Sequence, residues 1–306
     1  MTGKNATETV LATAQGIAKA AAILERGGLV AVPTETVYGL AARADSAAAV
    51  AKIYAAKGRP DFNPLIVHVR DVEQAAHYGE VSNAARRLAD KYWPGPLTMV
   101  LPKRADAALA PAVSAGLPTI AMRAPAHEVM QHLLRAVDFP LAAPSANRSG
   151  FISPTSPAHV LASLDGRIDC VLDGGVCDQG VESTIVAVRS DGRVDELRPG
   201  PIAVDAQVMS GGAVEAPGQL ASHYSPGKPI RLNAAEVAPD EFFIGFGEIA
   251  GDCSLSASGS LVEAAARLYD CLHQAAADEA PRIAVAPIPN EEIGRAINDR
   301  LRRAAA

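Results

Sequence analysis

The chain has 306 residues, 49% of them hydrophobic, enough to bury one large core and a smaller second one. Charged residues are 20%, with 28 basic against 34 acidic and a net charge of -6; this excludes disorder over most of the length and a strongly basic nucleic-acid binder, though not a local basic cleft. Cys170, Cys177, Cys253 and Cys271 include no C-x-x-C pair, which removes zinc-ribbon and thioredoxin-like readings and fits a reducing cytoplasm. No secretory pattern opens the chain and no apolar run nears the roughly 20 residues of a membrane span, so the expected location is cytoplasmic with no membrane partner.

Helical and strand patterns alternate along the first two hundred residues. A helix is predicted over 9–25, stopped by the glycine pair 27–28, and LVAV (29–32) reads as a buried strand. A helix follows over 46–56 with Ser46 as its N-cap, then the strand LIVHV (65–69) and a helix over 82–92. LTMVL (97–101) and TIAM (119–122) are strands, with a helix over 127–137 after them. CVLD (170–173), STIVAV (183–188) and VDELR (194–198) complete the series. The pattern implies an α/β unit built on a mixed sheet.

The stretch 211–229, rich in Gly, Pro and Ser, reads as a linker. Beyond it, IRL (230–232), FFIGF (242–246) and RIAVAPI (282–288) are strand-like. Ser260 with Glu263 forms a predicted capping box for a helix over 261–277. Asn290 is the expected cap of a last helix, with Glu291 and Glu292 in its first turn and Arg302 and Arg303 in its last. The predicted division is 8–205, a linker over 206–229, and a small α/β unit over 230–306 that has no recognisable motif of its own.

The familiar phosphate-binding motifs, G-x-x-x-x-G-K-[ST] and G-x-G-x-x-G, are absent. In KGRPDFNPLIVHV (57–69), Lys57 and Arg59 stand two apart at a helix end, where a point charge and a planar fork can converge on one polyphosphate. Asn63 adds amide donors and His68 follows on the strand; a solvated basic helix end explains the same residues more simply. Thr34 and Thr36 follow a buried strand, where α/β sheets place small ligands, or they form a polar turn. Ser145, Asn147, Ser149 and Ser153 lie in a Pro-bounded loop that can wrap a nucleotide or serve ordinary turns. Arg123 and Arg198 end apolar strands, so each is either paired internally or receives an anion. Glu182, Ser183 and Thr184 open another strand.

Taken in order, PTETVYGL, K-x-R-P with NPLIVH, WPGPLT, T-I-A-M-R-x-P, PSAN-x-SG, ESTI and LRPG resemble the YrdC-like threonylcarbamoyl-AMP synthase family from about residue 14 to 200. SHYSP (222–226) and the ending IGRAINDRLRRAA (293–305) resemble its long, two-domain form, which implies a YrdC-like twisted mixed sheet followed by a smaller, Rossmann-like α/β unit. The resemblance implies condensation of L-threonine, bicarbonate or carbon dioxide, and ATP into threonylcarbamoyl-AMP and pyrophosphate. Magnesium would ride on the phosphates, and the product would pass to tRNA threonylcarbamoyl-transfer machinery; direct tRNA binding is left open.

By the same resemblance, Lys57 and Arg59 are the catalytic cations. Arg59, Asn63, Thr119, Ser145, Ser153, Arg198 and Tyr224 contact ATP, while Thr36, His68, Arg123, Ala143 and Ser183 form the threonine pocket, with no protein-held metal. Lys57 and Arg59 are expected to be exposed, and 217–229 to close over the nucleotide as a lid. Two other readings compete: a carbamoyl-adenylate former related to hydrogenase maturation, and a binding module for structured RNA.

Overall fold

The computed structural model describes residues 6–60, 62–208, 215–216 and 222–306. Two sheets organise it. The first runs through β1 (Glu8–Leu11), α1 (Ala14–Glu25), β2 (Val30–Val32), β3 (Gly39–Arg43), α2 (Ala47–Lys57), β4 (Ile66–His68), α3 (Val72–Ala75) and α4 (Asn83–Tyr92). It continues through β5 (Leu97–Pro102), β6 (Thr119–Arg123), α5 (Glu128–Ala136), β7 (Leu141–Ala142), α6 (Pro157–Leu164), β8 (Cys170–Asp173), β9 (Thr184–Val188), β10 (Val194–Arg198) and β11 (Gln207–Val208). Its strand order is β1-β8-β2-β3-β7-β4-β6-β5-β9-β10-β11, with parallel and antiparallel pairs mixed, as the predicted fold class requires.

Strand alternation sorts this sheet's side chains onto two faces. Leu29 and Ala31 join the core under α2, α4 and α6, whereas Val30 and Val32 face α1 and α5. One predicted element fails: 9–25 is not a single helix. Glu8–Leu11 pairs in parallel with β8 at the sheet edge, and α1 starts only where the Thr13 hydroxyl accepts the Gly16 N–H at 3.2 Å. The partner strand lies far along the chain, so local periodicity could not reveal the pairing.

The second sheet is formed by β12 (Ile230–Arg231), β13 (Glu241–Gly245), β14 (Cys253–Ser254) and β15 (Arg282–Val285), in the order β12-β15-β13-β14 with every pair parallel. Its helices are α7 (Leu261–Ala277) and α8 (Gly294–Ala304). Ser260 caps α7 through the Glu263 N–H, but the reciprocal half of the box is not made: the Glu263 carboxylate accepts from the Ser256 hydroxyl at 2.6 Å instead. Asn290 does not cap α8, and Glu291 and Glu292 lie before it. The chain passes through a left-handed residue at Glu292 (φ 46°) and begins the helix after Ile293, without a side-chain cap. Cys253 and Cys271 form a disulfide between β14 and α7, so the expectation of reduced cysteines holds only for the buried Cys170 and Cys177.

The two sheets share apolar packing. The core around α7 and α8 also takes in Val37, Ile152, Val181 and Tyr224 from the other side of the junction. Gly180 (φ 69°) makes that closeness possible, since a Cβ there would run into the backbone of Ala265 and Ala266 on α7.

Candidate functional site

β4 and β6 pair in parallel so that His68 stands beside Arg123. Arg123 is 4% exposed. Its Nη1 donates to the Thr36 hydroxyl at 2.9 Å, its Nε donates to the Gly95 carbonyl at 3.2 Å, and its Nη2 meets the Glu35 carboxylate at 2.6 Å. The WPGPLT segment is therefore a brace for this arginine, and the PTET turn supplies its hydroxyl and its counter-charge. Burial alone would push the Glu35 carboxyl up, but the adjoining guanidinium brings it below the ordinary range. Burial, with Arg123 next to it, pushes the His68 imidazole down to about 3, so the ring is a neutral hydrogen-bonding group at neutral pH.

On the facing wall, α2 ends at Gly58, whose left-handed conformation (φ 60°) turns the chain into the Arg59 loop. Arg59 donates to the carbonyls of Asn63 (3.2 Å) and Pro64 (2.8 Å). Burial pushes the Arg59 guanidinium down to about 10. Lys57 is buried, not exposed as expected. Its ammonium donates to the carbonyls of Ser145 (2.6 Å) and Asn147 (2.5 Å), which fixes the 145–149 loop against the end of α2. Burial and then the Arg59 charge hold the Lys57 ammonium well below its usual range.

The third wall is built on Glu182. Ser153 Oγ donates to Glu182 Oε1 at 2.5 Å, while Tyr269 and Arg300 donate to Oε2 at 2.7 and 2.8 Å. Burial raises this carboxyl, yet Arg300 and Arg198 beside it bring it down to about 2. Arg198, also buried, donates to the Ser183 carbonyl at 2.9 Å.

These walls enclose a cavity of about 50 Å³. That is room for a few waters, against the roughly 300–1,000 Å³ of ordinary small-molecule pockets. Several buried polar atoms at its walls have no hydrogen-bond partner among the described residues: His68 Nδ1, His223 Nδ1 and Tyr224 Oη. Such a cluster of orphaned groups marks a place where a polar ligand completes the bonding. Tyr224 has φ 64° and is 1% exposed, and with His223 it forms part of the cavity wall.

Of the predicted site residues, Thr36, Arg59, His68, Arg123, Ala143, Ser145, Ser183, Arg198 and Tyr224 line this one cavity. Lys57, Asn63 and Ser153 stand behind it, each bonded to a lining residue or its loop. Thr119 lies apart, at the opposite end of β6 from Arg123. The register of β4 with β6 sets it level with Pro64, beside the Arg59 loop rather than in the cavity. Of the predicted lid, 217–221 lies outside the described residues. Sequence reasoning assigned no site role to Glu35, Glu182 or His223, and none at all to Tyr269 and Arg300. The run PTET carries the first openly as an acid between two threonines, but the last two have no local signal.

A cavity lined by three arginines, at the ends of strands and in a loop of a mixed α/β sheet, is suited to anionic ligands. Residues 22–200 match the Sua5/YciO/YrdC family, described as telomere recombination, and 183–306 match the threonylcarbamoyl-AMP synthase C-terminal domain. A threonylcarbamoyl-AMP synthase of Bacillus subtilis is 39% identical over 94% of this chain and 92% of its own length. Pyrococcus abyssi Sua5 complexed with L-threonine superposes with a TM-score of 0.85 at 33% identity, covering 98% of this chain and 97% of that one. A doubly substituted variant of the same P. abyssi protein gives 0.88 at 32% identity, covering 98% and 96%. The chain belongs to the threonylcarbamoyl-AMP synthase family. It is therefore an enzyme that makes an adenylate from ATP.

Proposed function

We propose that this protein condenses L-threonine, bicarbonate or carbon dioxide, and ATP into threonylcarbamoyl-AMP and pyrophosphate within the Arg123–Arg59–Arg198 cavity. One observation carries the reading: a strand-end arginine bonded to a threonine hydroxyl, a neutral histidine, and two further arginines, Arg59 and Arg198, line one cavity. The Arg123 fork suits the amino-acid carboxylate, and Thr36 and His68 suit the threonine hydroxyl. Arg59, Arg198, Asn63, Ser145 and Ser153 serve the nucleotide, with Lys57 holding the loop that carries Ser145. Thr119, level with the Arg59 loop, suits an outlying part of the nucleotide.

The threonine amine adds to carbon dioxide and releases a proton to water, giving a carbamate. A carbamate oxygen then forms a bond to the α-phosphorus as the bond to the pyrophosphate oxygen breaks. Such a displacement needs alignment and neutralised phosphate charge more than covalent help. Magnesium carried on the triphosphate would supply part of that neutralisation. The cavity carboxylate Glu182 and Glu35 behind Arg123 are each engaged by arginine, and no metal-sized group of three His, Cys, Asp or Glu side chains occurs among the described residues.

Tyr224 and the segment around it act as a lid that excludes water from a labile mixed anhydride. The adenylate is consumed by tRNA threonylcarbamoyl-transfer machinery in the cytoplasm, without a requirement that this chain bind tRNA itself. No helix among the described residues is long and apolar enough to cross a membrane. The carbamoyl-adenylate alternative is set aside, because the C-terminal residues 183–306 match the domain of threonylcarbamoyl-AMP synthases. Incubation with ATP, magnesium, bicarbonate and labelled L-threonine is the test. Pyrophosphate should appear only when threonine and bicarbonate are both present; ADP formation, or turnover indifferent to threonine, defeats the reading.

A further inference from the structure

We infer that Thr34 is a positioning residue for the amino-acid substrate: it takes the Thr36 proton, so that the Thr36 hydroxyl can only accept, and the substrate hydroxyl must come to it as a donor. The inference rests on the reading of this cavity as the threonine site.

A hydroxyl carries one proton and two lone pairs, so its role toward a ligand follows from how its other partners use them. Thr34 and Thr36 both line the cavity and are 2% and 0% exposed, so neither hydroxyl settles its bonding with bulk water. Thr34 Oγ1 lies 2.7 Å from the Val37 carbonyl oxygen, which can only accept. The Thr34 proton therefore points at Val37. Were it turned elsewhere, two oxygens would face each other at that distance with no hydrogen between them. Thr34 Oγ1 is left as an acceptor, and the backbone N–H groups of Thr36 and Val37 both donate to it at 3.2 Å.

Thr36 Oγ1 is 2.9 Å from Thr34 Oγ1. Since the Thr34 proton is already committed, the hydrogen between the two oxygens belongs to Thr36. Arg123 Nη1 donates to Thr36 Oγ1 at 2.9 Å, and a guanidinium has no acceptor to offer in return. One lone pair of Thr36 remains for a ligand. A carboxylate or phosphate oxygen there would set acceptor against acceptor, whereas a hydroxyl proton is matched. The order Thr36 to Thr34 to Val37 is fixed at its far end by a backbone carbonyl that cannot reverse its role. The polarity met by the substrate is thus a property of the turn after β2, and a group of hydroxyl size with no proton to give is rejected.

The test compares L-threonine with its analogue of the same configuration carrying fluorine in place of the side-chain hydroxyl. The full chain is used as wild type, Thr34→Val and Thr34→Ser. Threonine-dependent pyrophosphate release gives kcat/KM for each amino acid, calorimetry gives each Kd, and the thermal midpoint reports folding. Wild type should prefer threonine by at least about a hundredfold. Thr34→Val should lower kcat/KM for threonine about tenfold and shrink the preference at least about tenfold, because the Thr36 proton, deprived of its acceptor, turns into the cavity. Thr34→Ser keeps the hydroxyl and should hold the preference within about threefold of wild type. A merely structural role predicts a lowered midpoint in Thr34→Val with the preference unchanged; that result overturns the inference, as does a preference that grows. Should Thr34→Val not fold, Thr34→Ala takes its place with the same expectation and the same refutation, and a wild-type preference below about tenfold overturns the inference without any variant. Threonine that binds in the calorimeter but drives no pyrophosphate release would sink the functional reading, while the ratio of the two Kd values still decides the role of Thr34.

Discussion

The unit before residue 208 and the unit after 230 use arginine in opposite ways. In the first, Arg123, Arg59 and Arg198 line one cavity, and among their described partners are backbone carbonyls, two hydroxyls and the Glu35 carboxylate. In the second, Arg300 is wholly enclosed and bound on all sides, to Glu182, Asp299 and Pro199. The difference shows how one residue type serves both recognition and scaffolding: a cation that faces a cavity and leans on carbonyl dipoles can still take an anion, whereas one saturated by carboxylates cannot.

The largest expected effect breaks this contrast at its recognition end. Arg123→Met should reduce threonine-dependent pyrophosphate release by at least about a hundredfold, and it should also cost stability of about 3–5 kcal/mol by leaving Glu35 buried without its cation. Adding Glu35→Gln should restore much of the thermal midpoint but not the rate. If the double variant recovers both, the amino-acid carboxylate binds somewhere else.

A smaller effect lies at the junction. Tyr224→Ala should raise the apparent ATP requirement by about tenfold, a loss of roughly 1.4 kcal/mol of nucleotide contact and closure. Tyr224→Phe should separate the two contributions, because it keeps the ring beside Tyr269 and removes only the hydroxyl, which has no hydrogen-bond partner among the described residues. An unchanged ATP requirement in both variants would reduce the segment to a spacer.

The smallest effect sharpens the scaffolding side. His273 on α7 stacks on His159 of α6 at 3.9 Å, with Asp270 beside His159 and the Ser153 carbonyl at 3.2 Å from His273 Nε2. Burial, with His159 next, pushes His273 down to about 4. An unfolded His takes its proton near pH 6.5, so between those values the unfolded chain binds more protons and stability falls as pH drops from about 6.5 toward 4. His273→Gln should flatten that fall by up to one proton's worth in urea midpoints measured across the window. An unaltered slope would assign the acid response to other groups, of which His68 and His223 are the first to test.

Much of this was legible in the chain because it is written locally. Strands such as Leu97–Pro102 and Thr184–Val188 announce themselves as apolar runs, and Arg123 stands out as a charge at the end of one. The helix caps at Ser46, Ser82 and Ser260 were readable from short-range chemistry, although only Ser46 and Ser260 were read as such. What stayed hidden depends on distant pairing. Glu8–Leu11 is a strand only because β8 is there, and Cys253 finds Cys271 only once α7 packs on β14. Lys57 looked like a solvated helix end, since nothing nearby in sequence reveals that the carbonyls of Ser145 and Asn147 will come down on its ammonium. Arg300 sits in a helix rich in arginine, where the one that turns inward cannot be told apart by composition.

The apolar core that takes in Val37, Ile152, Val181 and Tyr224 alongside α7 and α8 has a thermodynamic corollary. Opening either sheet strips contacts from the other, so the cooperative unit of unfolding does not end where the first sheet ends. Heat or denaturant should dissolve both in one transition, and slow-exchanging amides of α7 should share their opening free energy with those around Val181 rather than with the exposed loops of their own unit.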